Sequence, residues 1–395
     1  MISPRHWAQW QDARVNIAAH PLLWPAARLL RHAGPVIRVP GVGIIVSDAT
    51  LGHEVLTQDE LFTKQGPGSI ADVMTAAFGP AALSNMDGDA HRQLRLRLGP
   101  LASPEVAESW FADARATLDQ AADGILRGEQ VDVAAAARRF AGHLTLTLLG
   151  APGSEDEADA VHALGSRIAS SLQLSPLKRH QVARARADSA QLVAMVRTAF
   201  QRDDLAPRSL VARLRGMGCS EEETRGLLSI FLVAGALTLG VALPRVLQLL
   251  IDARALHRLD TASAVQSAVE ESMRYAAPVP ATVRIASAPA RVGHLTTRTG
   301  ERIVILTSNL ARDPSLFPDP DRFDPTRAPN PKARYLWYGA GAHFCIGFPL
   351  AQRVLQHAVA RFAALPGPLR VVHRWPAHGV LLPAWHRLRV ASATS

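Results

Sequence analysis

The residues best suited to chemistry sit in WYGAGAHFCIGFPLAQ, residues 337–352, where one of the chain's two cysteines, Cys345, is set among Gly339, Gly341 and Gly347, with His343 two positions before it. A cysteine packed as a small hydrophobe has no use for glycines on both sides. A sulfur that must approach a flat, bulky partner does, because glycine removes side chains from its path. Backbone amides of such a turn donate hydrogen bonds to sulfur and tune a metal-bound thiolate. The following FPLAQRVLQHAVARFAAL reads as a helix, so Cys345 lies just ahead of an amino terminus whose dipole favours negative sulfur. An inert buried cysteine explains neither the glycine spacing nor the histidine. Cys219 is far away in sequence, and the two cysteines match no disulfide framework or zinc spacing, so a reducing compartment, the cytoplasm, is expected.

Other candidates recur at helical spacing. In EESMRY, Glu271 and Arg274 fall on one helix face, and in DGDAHRQLRLR, His91 and Arg95 stand one turn apart. Each taken alone is an ordinary charged pair. Between Gly226 and Pro244 runs GLLSIFLVAGALTLGVALP, an uncharged stretch as long as a membrane span or a core helix. It is the only such stretch, and amphipathic patterns resume on both sides, which favours a helix through the centre of a large protein. Its small residues, AGALTLG, admit either a flat ligand or another backbone at close range.

Taken together these segments resemble the cytochrome P-450 superfamily, the haem-thiolate monooxygenases. The family pattern Phe-x-x-Gly-x-x-x-Cys-x-Gly is met with Tyr338 in the Phe position, Gly341, Cys345 and Gly347. The resemblance implies that Cys345 is the iron ligand of haem b, with Tyr338, Gly339, Gly341 and Gly347 shaping the loop, and that His343, His91, Arg95 and Arg284 (in PATVRIA) contact the haem carboxylates. It also implies that Glu271, Arg274 and Arg322 (in DPSLFPDPDRFDPTR) form a buried structural network. AGALT matches the segment over the distal face of haem: Ala234 and Gly235 make room for dioxygen, and Thr238 is its hydrogen-bonding partner. One departure is chemical. The acid that precedes the threonine in the family is Leu237 here, and no Asp or Glu occurs between Glu223 and Asp252, so protons must come through Thr238, water, a distant carboxylate or the substrate.

The elements that must position these residues are mostly helices. Residues from about 101 to 275 show helical spacing, with a capping box at Ser220 and Glu223 opening the long apolar helix and Pro244 expected to kink it. VIRVPGVGIIVSD reads as a hairpin followed by a helix, and ARVGHLTTRTGERIVILTSN as two strand runs. The expected class is mainly α with small β-sheets, and the resemblance implies a triangular-prism helical domain with a β-rich subdomain. One domain over 1–395 is expected, β-rich at about 30–65 and 280–330 and helical at about 66–279 and 331–395.

With 48% hydrophobic residues the chain is long enough to bury a large core. Its net charge of +9 rests on arginines scattered along the chain rather than striped with aromatics, which disfavours nucleic acid as a partner. No export signal or membrane insertion is indicated, and a monomer is expected. The resemblance places the substrate pocket near Met74, Phe78, Leu237, Ala281, Thr282 and Leu381, whose apolar character suits a small apolar or amphipathic molecule, free or bound to a carrier protein. It further implies dioxygen as co-substrate and NAD(P)H-derived electrons delivered by a separate ferredoxin or flavodoxin with its reductase, for which Arg92 and Arg353 are candidate docking cations. Hydroxylation or epoxidation in secondary metabolism is the leading expectation. Coupling, desaturation or rearrangement is the alternative, and a non-catalytic haem sensor a distant third.

Overall fold

The computed structural model describes residues 3–66, 69, 71, 75, 79, 81–171 and 179–393. Among these, ten strands form three sheets: β1 (Val36–Val39), β2 (Gly43–Val46), β3 (Phe62–Thr63), β4 (Val131–Asp132), β5 (Thr282–Ala286), β6 (Arg291–Val292), β7 (Leu295–Thr296), β8 (Arg302–Ile305), β9 (Leu369–Pro376) and β10 (Trp385–Ser392). The largest sheet runs β1-β2-β8-β5-β3. Its β1–β2 hairpin turns at Gly41, where φ is +77°. Gly43 is also required, because a Cβ there would lie 2.1 Å from the Arg302 carbonyl oxygen of β8. Ile44, Val46, Ile303 and Ile305 turn inward from β2 and β8 and pack with Val55 and Leu56 of the helix Ala49–Thr57. Asp48 caps that helix by accepting from the Leu51 amide.

The larger core is helical. The central helix, Glu221–Asp252, starts with the capping box: Glu223 N donates to the Ser220 hydroxyl and Ser220 N to the Glu223 carboxylate. Its most apolar window is 72% buried inside the protein, which makes it a core helix. Gly226 lets it approach the backbone of Ala81 and Ala82, where a Cβ would meet atoms at 2.6 Å. A π-helical turn occupies Phe231–Ala236, and helix continues through Pro244 to Asp252, so the irregular turn lies upstream of the proline.

Helix Pro4–Ala19 is pinned to the far half of the central helix by a fully buried ion pair, Arg245 to Asp12 at 2.6 Å, with Asn16 and the Pro383 carbonyl completing the shell. β10 pairs with β4 on one side and β9 on the other, and β9 and β10 both lie within 331–395, the portion expected to be helical. Bulges between Trp385 and Arg387 and between Arg389 and Val390 interrupt the alternation that would have marked the strand. The run 290–309 resolves into the short hairpin β6–β7 and a separate β8, followed by a helical turn at Thr307–Leu310.

Candidate active site

The loop before helix Phe348–Ala363 is built from two 3₁₀ turns, Leu336–Tyr338 and Gly341–His343, with Gly339 at φ +86° and Gly341 at φ +65°. Gly341 also lies against the preceding layer: a Cβ there would sit 2.9 Å from the Leu56 oxygen and 3.0 Å from the Thr57 Cα. The glycines thus shape the loop as well as clear space. Cys345 N donates to the Tyr338 carbonyl at 3.1 Å, and Gly347 caps the helix. Burial pushes the Cys345 thiol up, while a hydrogen bond from the Gly347 amide and the charges of Arg95 and Lys64 pull it back toward thiolate. Tyr338 packs edge-on to Phe348 with ring centroids 5.1 Å apart, and its hydroxyl accepts from Gln352.

Around this loop the structure gathers a set of cations. Helix Gly88–Arg97 presents His91 and Arg95, and the Arg95 guanidinium donates to the Phe344 carbonyl at 2.5 Å. The rings of His91 and His343 are 4.2 Å apart. Arg284, buried on β5, donates to the Val283 carbonyl and the Thr282 hydroxyl. Lys64, absent from the sequence-based candidates, joins them. Asp87 is the local counter-charge: it accepts from the amides of Lys64 and Gln65 at 2.9 and 3.1 Å, and its other oxygen meets His343 Nε2 at 3.1 Å. No motif announced Lys64 or Asp87, although Asp87 stands at the start of the helix that carries His91.

The electrostatics reflect this crowding. Burial and then the Arg284 charge lower Lys64 to about 7, and burial lowers Arg284 to about 10. His91 is pushed down by burial and by Lys64 and Arg95. Among the described residues, both ring nitrogens of buried His91 and the Nε of Arg284 have no hydrogen-bond partner. Unpartnered buried donors beside surplus positive charge fit a ligand that brings more than one carboxylate, as haem does. The residues present therefore fit haem: Cys345 for the iron, and His91, Arg95, Arg284, His343 and Lys64 for the carboxylates.

Behind the loop, Arg274 makes a two-pronged pair with Glu271 at 2.6 and 2.9 Å and donates to the carbonyls of Ala311 and Pro320. The third arginine is Arg327, whose Nε lies 3.2 Å from Glu271, and not Arg322 as the sequence suggested. Phe323 is driven into the core, which turns the neighbouring Arg322 side chain outward, 52% exposed and 3.6 Å from Asp324. The chain then folds back so that the Asp324 amide donates to Glu271 at 2.8 Å and Arg327 turns inward. Only the Arg322 carbonyl joins the network, accepting from Arg274 and Arg327.

On the central helix, Ala234 is exposed and Gly235 and Thr238 are half-buried, while Val233, Ala236, Leu237 and Leu239 are buried. A Cβ on Gly235 would meet no atom within 4 Å. One accessible strip thus runs along an otherwise covered helix. The Thr238 hydroxyl donates back to the carbonyls of Ala234 and Gly235 at 2.7 and 2.8 Å. Leu237 does not share this face. It is buried against Gly165 of helix Glu155–Ser171, near His162, which corrects its placement in the substrate pocket: successive helical residues point about 100° apart.

Ala281 and Thr282 are half-buried where β5 begins, Thr282 on the same strand face as Arg284. Leu381 packs on the helical core, and its carbonyl meets His20 Nε2 at 3.0 Å. Met74 and Phe78 lie outside the described residues. The two candidate docking cations are both engaged, Arg92 with Asp89 at 2.7 Å and Arg353 with Glu108.

A mainly helical fold with a cysteine loop, a buried carboxylate-seeking cradle and a small-residue strip on a central helix defines a haem-thiolate protein class. Residues 258–362 match the family profile described as "Cytochrome P450". Mycinamicin IV hydroxylase/epoxidase of Micromonospora griseorubida is 30% identical over 296 residues, 72% of this chain and 72% of that relative. The chain belongs to the cytochrome P450 family. The "Biotin biosynthesis cytochrome P450" of Bacillus subtilis is 42% identical over 95 residues, 24% of this chain, and the match spans only 23% of that relative's length. Among solved structures, P450BioI in complex with hexadec-9Z-enoic acid ligated acyl carrier protein superposes with a TM-score of 0.80 at 22% identity, covering 95% of this chain and 100% of that one, a likeness of fold.

Proposed function

We propose that this chain is an oxidoreductase that holds haem b through the Cys345 thiolate and uses dioxygen to hydroxylate or epoxidise a small apolar or amphipathic organic molecule, in secondary metabolism. The observation that carries this reading is the buried cation cradle beside the Cys345 loop, with His91 and Arg284 nitrogens that lack partners among the described residues. When bound, haem would supply the reductive activation of dioxygen, and Cys345 would hold it and donate electron density through its sulfur.

The chain's own residues hold and orient. The Gly347 amide and the Arg95 and Lys64 charges favour sulfur as thiolate. His91, Arg95, Arg284, His343 and Lys64 neutralise the carboxylates. Ala234 and Gly235 leave the distal strip open, and Thr238, whose proton is committed to the Ala234 and Gly235 carbonyls, keeps its oxygen lone pairs free to accept from an incoming group. Leu237, buried against Gly165, offers no proton. Protons then reach Thr238 by way of water or a polar group of the substrate.

Electrons come from NAD(P)H through a reductase and a ferredoxin or flavodoxin. A substrate presented on a carrier protein is one form of the amphipathic molecule, a reading supported by the acyl carrier protein complex of the P450BioI neighbour. The test is the absorption spectrum of the reduced, CO-bound protein. A thiolate-type band that is lost in Cys345→Ser is expected, and a protein that takes up no haem, or takes it up unchanged in that variant, overturns the proposal.

A second reading, oxidation without oxygen insertion, is favoured by Leu237, because coupling or desaturation places less demand on the missing acid. Isotopically labelled dioxygen separates the two: label in the product supports insertion, and label only in water supports the second reading.

A further inference from the structure

The carboxyl end of the central helix borders a cavity of about 600 Å³ that shares no residue with the cysteine loop, the cation cradle or the distal strip. Leu250, which lines it, stands about 18 Å beyond Thr238 along the helix at the ordinary rise per residue. The floor is apolar: Leu250, Leu256 of the 3₁₀ turn Leu256–Arg258, Phe362 of helix Phe348–Ala363 and Leu369 of β9. Its volume is that of a small-molecule site. Among the described residues that line it, the charged ones are all cations, Arg254, Arg258 and Arg370, joined by His257.

Acids close in sequence do not answer this charge. Asp252 accepts from Arg374 through both oxygens at 3.0 Å and from Gln248 at 2.9 Å. Asp260 is exposed, and among the described residues no carboxylate pairs with Arg254 or Arg258. Arg370 donates to the Ser392 carbonyl at 3.4 Å. The carboxyl termini of two helices meet here and attract cations, but each carries only about half a negative charge, less than three arginines bring. Arg254 also occupies a costly backbone. The central helix closes with Ala255 N donating to the Leu250 carbonyl at 2.9 Å and Arg254 N to the Ile251 carbonyl at 3.0 Å, which sets Arg254 at φ +53°. Glycine takes that angle without strain, so an arginine here gives up conformational ease and puts a guanidinium on the rim. We infer that this cavity binds a long-chain aliphatic carboxylate, its chain on the leucine and phenylalanine floor and its head group on Arg254 and Arg258. A neutral ligand leaves the arginines unanswered, and a small polar anion leaves the apolar floor in water.

The test is calorimetric titration of the protein as purified, with its haem, using dodecanoate as the probe and following the haem absorption spectrum alongside. Binding that leaves the haem spectrum unchanged is expected, and acetate, a head group without the chain, should not bind measurably. Arg254→Gly should weaken dodecanoate about tenfold while Tm holds or rises, because glycine relieves the backbone. Arg258→Gln, which leaves the helix end untouched, should weaken it by a similar factor. Absence of binding, binding equally strong in both variants, or heat that always accompanies a haem spectral shift and so places the chain in the haem cavity would each overturn the inference.

Discussion

Lys64 is the titratable centre of the cation cradle. Burial, and then the Arg284 charge, bring its pKa in the folded chain to about 7 from an unfolded value of 10.5. Between those values the unfolded chain binds the extra proton, so without haem Lys64 adds stability as pH rises above about 7 and withdraws it as pH falls back. Thermal unfolding of the haem-free protein should show this as a rise in Tm from pH 7 to 9 relative to Lys64→Met; parallel curves would exclude it. Arg327 and Arg322 offer a sharper contrast. Arg327→Leu leaves the buried Glu271–Arg274 pair short of a partner and should cost about 3–5 kcal/mol, whereas Arg322→Leu, at an exposed side chain, should stay within about 0.5 kcal/mol. Urea denaturation of the two variants decides which arginine holds the network. The identity of this third arginine was hidden in the sequence because DRFDPTR supplies two candidates, and only the inward turn of Phe323 chooses between them.

At the scale of elements, the central helix separates two jobs onto two faces. Thr238 lies on the accessible strip, and Leu237 faces helix Glu155–Ser171. Thr238→Val should therefore leave folding nearly unchanged while severalfold less reductant ends in product, measured as product formed per NAD(P)H consumed. Leu237→Asp should instead lower stability by about 1–3 kcal/mol at neutral pH, because it buries a carboxyl group against Gly165. Much of this helix was legible: the capping box, the uncharged run and the small residues of AGALT are all local patterns. The π turn was not, since it depends on how the whole helix is packed and leaves no mark in composition. The Cys345 loop was legible for the same reason as the cap, its glycines being forced by backbone angles at Gly339 and Gly341. Lys64 was illegible because it joins the cradle only through the sheet that brings β3 beside β5.

For the molecule as a whole, the Asp12–Arg245 pair ties the chain's beginning to its middle. Asp12→Ala strands a buried guanidinium and should cost about 3–5 kcal/mol, while Asp12→Leu with Arg245→Met should recover most of that; calorimetry on the three forms gives the answer. Sequence reading reached the helical class and the early hairpin but missed the carboxyl-terminal sheet, whose strands are bulged and half-exposed and so lack a clean alternation. The wide turn at Phe231–Ala236 sets the angular phase between the two halves of the molecule's longest helix. That turn holds its six residues in nearly the rotation that about five take in an ordinary helix, so loss of one residue there leaves the halves almost in phase, whereas loss of one from the regular turns that follow would swing everything downstream by about 100°, carrying Arg245 off Asp12 while Gly226 stayed seated on Ala81. Beyond the wide turn the helix can exchange one side chain for another far more easily than it can change its length.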